Sequence, residues 1–212
     1  MNTCYLVGAA PPAERIKPQP GDFIIAVDGG SDTLRKWGIT PDFALGDFDS
    51  IQAAVPENVP CKRYPAEKDE SDMELALWEG LHRGFRRFEF IGAGGGRPDH
   101  TYANLQLLVQ AAELGAFAAL RFPGGCTAAA LVASGTLLLH GSGTVSVFAF
   151  GGDAEGVTLR GLKYPLERAR LSGGAPIGLS NEIAGGEAEI TLESGALLVF
   201  WETEKAAPLV NI

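Results

Sequence analysis

Two aspartates separated by one residue stand in the segment Gly46-Asp47-Phe48-Asp49-Ser50, directly after an apolar run. If this segment is extended, Asp47 and Asp49 project to the same side, and their carboxylates repel each other unless a cation lies between them. Mg²⁺ takes oxygen ligands of this kind and keeps positions open for water and substrate phosphates. The pair predicts a metal site, and an exposed acidic loop is the alternative.

A second acidic position, Asp28, closes another apolar run and is followed by Gly29 and Gly30. Glycine lets the backbone approach a ligand closely, and a helix is expected to begin near Ser31. Asp28 is therefore a candidate catalytic residue and the two glycines are candidate ligand contacts. A plain turn followed by a helix cap explains the same residues.

A third cluster contains Lys68, Asp69 and Asp72. The two aspartates are spaced i, i+3 at an expected helix start, where both can face one spot. Lys68 is a candidate phosphate ligand that acts as a point charge. Favourable interaction with the helix dipole and an ordinary solvated lysine are the alternatives.

A glycine-rich segment, IGAGGGRPDH at 91–100, precedes a helix expected from about Thr101. Free backbone N–H groups before a helix can bind phosphate oxygens, and an arginine adds a two-pronged donor. The segment lacks the Gly-Lys-Ser/Thr of a Walker A motif. A flexible connector, or a capping or core role for the histidine, is the alternative. The candidate residues are Gly94, Gly95, Gly96, Arg97, Asp99 and His100.

The elements that must position these residues follow from the apolar pattern. The predicted strands of the first part are Cys4–Val7, Phe23–Val27, Phe43–Leu45, Phe88–Ile91 and Ala118–Phe122. The predicted helices are Ser71–Arg83 and Thr101–Leu114. This alternation predicts a mostly parallel α/β sheet, which binds ligands at the carboxyl ends of its strands.

The pattern changes after about Gly124, where short apolar runs are separated by turns. These runs are Leu137–Leu139, Val145–Phe150, Val157–Leu159, Glu187–Leu192 and Leu197–Trp201. They favour a C-terminal antiparallel β-sandwich. We therefore predict an α/β protein with a catalytic domain over 1–125 and a sandwich domain over 135–212.

Composition narrows the possible partners and compartment. The net charge is −9, and the sequence contains no basic run of the kind that nucleic-acid-binding proteins use. The three cysteines are widely spaced, which favours a reducing cytoplasm. Pro11 and Pro12 interrupt the N-terminal apolar stretch, and no apolar run is long enough for a membrane span. We expect no nucleic-acid or membrane partner.

Taken together, the motifs resemble those of the thiamine pyrophosphokinase family. They are DGG at 28–30, GDFDS at 46–50, KDESD at 68–72 and GGRPDH at 95–100, with GLKYPL at 161–166 and LSNE at 179–182. The resemblance covers nearly the whole chain. It implies an α/β catalytic domain, a β-sandwich, and a homodimer that binds thiamine between the catalytic domain of one subunit and the sandwich of the other.

The resemblance also implies roles for individual residues. Mg²⁺ would be bound by Asp47, Asp49 and Asp72, and the phosphates of ATP by Arg97 and Lys68. In the sandwich, Tyr164 matches an aromatic position near the thiamine rings that is often tryptophan. Ser180 and Asn181 match the polar residues that accompany it.

The reaction implied is attack of the thiamine hydroxyl on the β-phosphorus of ATP, which expels AMP. Asp28, Asp72 and Asp99 are all candidates to accept the hydroxyl proton. Two alternatives remain. A metal-dependent nucleotide phosphohydrolase would use the same aspartates to activate water, and a non-catalytic sensor of thiamine or a nucleotide would bind without turnover.

Overall fold

The computed structural model describes residues 2–12, 14–49, 55–133 and 135–209. Ser50, the last residue of the predicted metal motif, lies outside them. The chain divides into two compact units. The first contains Met1–Leu107 and Ala118–Gly124, and the second contains Leu108–Phe117 and Gly125–Ile212. The domain ranges 1–125 and 135–212 stay a prediction.

The first unit is built on strands in the order β6-β5-β1-β2-β3-β4. β1 pairs in parallel with β2 and β5, β2 with β3, and β3 with β4. The parallel strands β1, β2 and β3 are buried, which explains their nearly continuous apolar sequences. The bounds are β1 Cys4–Val7, β2 Phe23–Val27, β3 Phe43–Gly46, β4 Cys61–Arg63, β5 Arg87–Ile91 and β6 Phe117–Phe122.

Three helices accompany these strands: α1 Gly30–Lys36, α2 Asp72–His82 and α3 Pro98–Glu113. The hydroxyl of Ser71 caps α2 by accepting a hydrogen bond from the Glu74 N–H at 3.1 Å. Ser and Glu at this spacing are typical of a helix N-terminus. The sequence therefore located α2 to within one residue at each end.

Helix α3 begins at Pro98, three residues before the predicted start. Proline suits the first helical position because its missing N–H has no partner there in any case. The Thr101 N–H donates to the Arg97 carbonyl at 3.0 Å, which continues the helix from this start. Asp99 and His100 consequently lie in the first turn of a helix and not in the preceding loop.

The antiparallel strands of the second unit lie in two layers, in the orders β12-β9-β14-β7 and β11-β10-β13-β8-β15. A shared apolar core lies between them and includes Leu139, Ile190, Val199 and Trp201, all at most 2% exposed. The bounds are β7 Cys126–Val132, β8 Thr136–Gly141, β9 Thr144–Ala149, β10 Ala154–Arg160, β11 Leu166–Leu171, β12 Asn181–Glu182, β13 Glu187–Thr191, β14 Ala196–Glu202 and β15 Ala206–Leu209. The predicted fold class is confirmed.

Several strands were not predicted. β4 is Cys-Lys-Arg and exposed, and β11 carries three charged residues among its six, so neither has an apolar run. β7 is apolar but rich in alanine, which is a weak strand former. Within the described residues, no helix combines the length and apolar character that crossing a bilayer requires.

Candidate active site

Three carboxylates meet at the carboxyl ends of two neighbouring parallel strands. Asp28 follows β2, and Asp47 and Asp49 follow β3. Each offers an oxygen atom, and these oxygens all lie within 4.8 Å of one another. Strand pairing supports the arrangement, because the Asp28 N–H donates to the Leu45 carbonyl at 2.8 Å. We call Asp28, Asp47 and Asp49 the carboxylate cluster.

The backbone of the cluster is turned and not extended, so one step of the sequence prediction is wrong. Phe48 has φ 57°, and the Asp49 N–H donates to the Asp47 side chain at 3.1 Å. The Phe48 ring is buried among apolar side chains that include Tyr5 and Ile24. The turn brings the Asp47 and Asp49 side chains together while the ring between them stays buried.

Electrostatic repulsion is built into the cluster. The neighbouring Asp47 carboxylate raises the pKa of Asp49 above its ordinary value, with smaller contributions from desolvation and from Asp28. Like charges at this separation favour protonation of one of them or binding of a cation. Converging carboxylates are oxygen ligands of the kind that Mg²⁺ prefers, so the residues fit that ion.

An open cleft of about 640 Å³ lies beside the cluster in the first unit. Residues from all four predicted motifs line it, together with several that the sequence did not single out. From the predicted set, the lining residues are Asp28, Asp47, Lys68, Asp72, Gly96, Arg97 and His100. Further lining residues include Ala9, Ala10, Ser71, Met73, Thr101 and Asn104.

Lys68 and Asp72 form an ion pair in the cleft wall. The ammonium nitrogen lies 2.9 Å from the Asp72 carboxylate, and the two side chains are only 12% and 23% exposed. Lys68 also donates to the Pro65 carbonyl at 3.1 Å. Asp69 is exposed and precedes the cap of α2, so the helical i, i+3 relation expected between Asp69 and Asp72 does not apply.

Arg97 and Asp99 form a second, exposed pair at the start of α3. Two guanidinium nitrogens lie 2.6 and 3.2 Å from the two carboxylate oxygens. Arg97 holds the pKa of Asp99 at about 2, well below its ordinary value. A carboxylate with so low a pKa is a weak proton acceptor, which disfavours Asp99 as the general base.

Glycines of the motifs have packing reasons of their own. A Cβ on Gly30 would lie 1.7 Å from the Val7 carbonyl oxygen, so α1 could not begin where it does with any other residue. A Cβ on Gly94 would lie 2.7 Å from the side chains of Leu120 and Phe122. The sequence predicted that Gly29 and Gly30 let the backbone approach a ligand closely. At Gly30, the close neighbour in the structure is the backbone of strand β1.

Asn104 is a cleft residue that the motifs did not reveal. It is buried, and its side-chain amide donates to the Ala93 carbonyl at 2.7 Å. This bond joins α3 to the loop after β5, and so fixes the glycine-rich segment between them. Its signal in the sequence is a polar residue on the otherwise apolar side of α3.

In the second unit, the three residues expected near thiamine lie close together. Tyr164 is 62% exposed and Asn181 is buried. Ser180 adopts a left-handed backbone with φ 58°, and its N–H donates to the Ser146 hydroxyl at 3.0 Å. Ser146 lies in β9, and no sequence motif pointed to it.

Two family models and several known proteins match this chain. Residues 19–117 match the model described as thiamin pyrophosphokinase, catalytic domain, and residues 139–197 match thiamin pyrophosphokinase, vitamin B1 binding domain. Thiamine pyrophosphokinase of Bacillus subtilis is 30% identical over 188 residues, which cover 85% of this chain and 87% of that protein.

The same similarity holds for solved structures. The crystal structure of the Bacillus subtilis thiamine pyrophosphokinase has a TM-score of 0.84 at 26% identity, covering 95% of this chain and 99% of that one. That of Geobacillus thermodenitrificans thiamin pyrophosphokinase has a TM-score of 0.81 at 28% identity, covering 94% and 97%. These similarities extend over both units of the chain.

Proposed function

This chain belongs to the thiamin pyrophosphokinase family, and from that premise we propose which of its residues bind the substrates and the metal. As a member it is an enzyme that transfers the diphosphate group of ATP to the hydroxyl of thiamine, giving thiamine diphosphate and AMP. The observation that carries the proposal is the carboxylate cluster beside the cleft of the first unit.

Asp28, Asp47 and Asp49 of the carboxylate cluster would hold Mg²⁺. When bound, the ion offsets the negative charge on the phosphates and polarises the phosphorus that is attacked. Asp47 and Asp49 carry over from the family motif, and the geometry adds Asp28 to them. Asp72, also expected as a ligand, lines the same cleft in its pair with Lys68 and remains a proposed ligand.

Arg97, Lys68 and the backbone of Gly96 bind the phosphates of ATP. Arg97 offers a planar two-pronged contact, and Lys68 a point charge held in place by Asp72. Transfer of this kind depends chiefly on positioning and on neutralising charge at the phosphoryl oxygens. The thiamine hydroxyl proton passes to Asp28 or Asp72, since Asp99 is held by Arg97.

Thiamine is bound by a composite site in a homodimer, with Tyr164, Ser180 and Asn181 of one subunit serving the cleft of the other. The family resemblance supports this arrangement, as does the exposed Tyr164 ring beside the other two residues. A cytoplasmic location is proposed on the free thiols of Cys4, Cys61 and Cys126.

The test is incubation with ATP, Mg²⁺ and thiamine, with mass detection of the products. Thiamine diphosphate and AMP in equal amounts are expected, and neither without thiamine. Phosphate release in the absence of thiamine would support a phosphohydrolase, and ligand binding without products would support a sensor. Asp49→Asn should abolish the Mg²⁺-dependent rate, whereas the exposed Glu57→Gln, outside the cleft lining, is the matched control.

A further inference from the structure

The side-chain amide of Asn181 forms two hydrogen bonds with the backbone of Tyr164. The Tyr164 N–H donates to Asn181 Oδ1 at 2.9 Å, and Asn181 Nδ2 donates to the Tyr164 carbonyl at 2.8 Å. The Glu182 N–H donates to the same Oδ1 at 2.9 Å. An asparagine side chain offers one oxygen that accepts two hydrogen bonds and one NH₂ that donates two, so three of these four are used.

Burial leaves Asn181 little surface for a substrate. The residue is 7% exposed, whereas Tyr164 is 62% exposed. A thiamine group that donated to Oδ1 would displace the N–H of Tyr164 or Glu182 and leave a buried polar group without a partner, which is costly. The fourth position, one N–H of Nδ2, belongs to a residue with little exposed surface. The exposed Tyr164 ring is the accessible member of this pair.

Backbone contacts extend the frame on one side of the pair, before Tyr164 and after Asn181. The Lys163 N–H donates to the Glu182 carbonyl at 2.9 Å, and Ala184 N–H donates to the Gly161 carbonyl at 2.9 Å. The segments around Tyr164 and Asn181 therefore run side by side. Asn181 closes this short ladder at the point where the chain presents the aromatic ring.

We propose that Asn181 is a positioning residue, which acts on thiamine only by fixing the backbone of Tyr164. This inference rests on the proposed function, in which the Tyr164 ring faces the rings of thiamine. It changes the role of Asn181 from a contact of the substrate to a support of the residue that makes the contact. Thiamine binding then depends on Asn181 only while Tyr164 is present.

A double-mutant cycle tests the dependence. Tyr164→Ala and Asn181→Ala should each raise the KM for thiamine, by about three- to thirty-fold, and leave kcat and the KM for ATP nearly unchanged. In the Tyr164→Ala background, Asn181→Ala should change the thiamine KM by less than about two-fold. Effects that multiply in the double variant would overturn the proposal, because Asn181 would then act independently of Tyr164.

The variant Asn181→Asp distinguishes positioning of Tyr164 from direct contact with thiamine, because the two roles predict opposite changes in the thiamine KM. It also provides a test if the alanine variant does not fold. The aspartate keeps the acceptor for Tyr164 N–H but places a negative oxygen against the Tyr164 carbonyl, so a positioning role predicts a higher thiamine KM. Direct contact with the cationic thiazolium ring predicts an unchanged or lower KM, and that result would refute the proposal.

Thr158→Val is the matched control, because the buried Thr158 hydroxyl accepts the Arg168 N–H at 3.1 Å in the same unit. It removes a comparable buried bond and should leave the thiamine KM unchanged. A rise in that KM for the control as large as that for Asn181→Ala would assign both effects to general loss of stability. If Tyr164→Ala leaves the thiamine KM unchanged, the proposed role of Tyr164 in thiamine binding is wrong. The inference about Asn181, which rests on that role, is then wrong as well.

Discussion

At the scale of single residues, three positions in the sequence motifs have backbone conformations that cost free energy. Asp28, Phe48 and Ser180 all have left-handed φ values between 46° and 58°. Non-glycine residues adopt this region at a cost of about 1 to 3 kcal/mol and cluster at functional sites. All three belong to the motifs that carried the family resemblance, so we expect their side chains to be needed for function.

Ser180→Gly tests this expectation. Glycine removes the steric cost of the left-handed backbone but adds chain entropy in the unfolded state, so the free energy of unfolding should change by less than about 1 kcal/mol. Loss of the hydroxyl should raise the KM for thiamine. Urea unfolding and steady-state kinetics measure the two effects. A variant with an unchanged KM would show that the hydroxyl does not contact the substrate.

Asp49→Ala should lower kcat by at least about 100-fold, because one proposed ligand of Mg²⁺ is lost. The fold should be retained, since Asp49 is exposed and removal of its charge relieves repulsion from Asp47. Thermal unfolding with and without Mg²⁺ provides the second measurement. The variant should lose the Mg²⁺-dependent rise in melting temperature, and wild-type kcat at saturating Mg²⁺ would contradict the assignment.

Arg97→Lys should raise the KM for ATP by about ten-fold, although it keeps the charge, because an ammonium cannot make the two-pronged contact. The same change should free Asp99, whose pKa should rise from about 2 towards its ordinary value. NMR titration of the Asp99 carboxyl carbon measures this shift. Unchanged kinetics for ATP, with the Asp99 pKa raised, would make Arg97 a surface residue that only pairs with its neighbour.

At the scale of elements, strand β5 contains a buried glutamate, and burial disfavours the charged form of its side chain. Glu89 lies opposite Tyr5 of β1, is 7% exposed, and pairs with Arg121 at 2.6 Å. Desolvation raises the pKa of Glu89 above its ordinary value, despite the opposing attraction of Arg121. The ionised form is therefore penalised more in the folded state than in the unfolded state.

A pH dependence follows for β5. Stability from Glu89 is complete below the ordinary carboxyl pKa and is lost as pH rises through the raised folded pKa. Glutamine resembles the protonated form at every pH, so the stability of Glu89→Gln relative to the unsubstituted protein should increase as the pH rises from below the ordinary carboxyl pKa of 4.5 and should level off above the raised folded pKa. Urea midpoints across this range measure the difference. A difference that is constant or decreases would refute the assigned cause.

The elements also show which structure a sequence can predict and which it cannot. Strands β1, β2 and β3 are continuous apolar runs, and α2 has its Ser71 cap, so all were found within about one residue. β4 and β11 were missed because edge and surface strands need no apolar residues. The start of α3 was missed because Pro98 was not recognised as a first helical residue.

For the candidate site, the sequence indicated which residues come together, but not the hydrogen bonds and ion pairs that they form. Asp47 and Asp49 were identified from their spacing, but that spacing does not indicate the left-handed turn at Phe48 that joins them. The Lys68–Asp72 and Arg97–Asp99 pairs depend on rotamers and helix ends that spacing alone does not define. Asn104 and Ser146 act through single bonds to the backbone and leave no motif in the sequence.

At the scale of the whole molecule, the proposed composite site can be tested by mixing two variants whose defects lie in different domains. If sites are shared, a heterodimer of Asp49→Ala and Tyr164→Ala subunits has one site with both defects and one wild-type site. Random exchange should then give about one quarter of the wild-type sites. Activity at low thiamine should exceed the mean of the separate variants. No increase, with subunit exchange confirmed by mass, would mean that each chain builds its own site.

The contact between Gly30 and the Val7 carbonyl has a consequence for tracing descent. Because that glycine is required for α1 to pack on β1, a descendant that had lost catalysis would still retain it in order to fold. Asp49 is exposed and supports no packing, so it would drift once transfer was no longer selected. Among diverged copies of this gene, presence of the aspartate would therefore distinguish active enzymes from inactive remnants, and presence of the glycine would not.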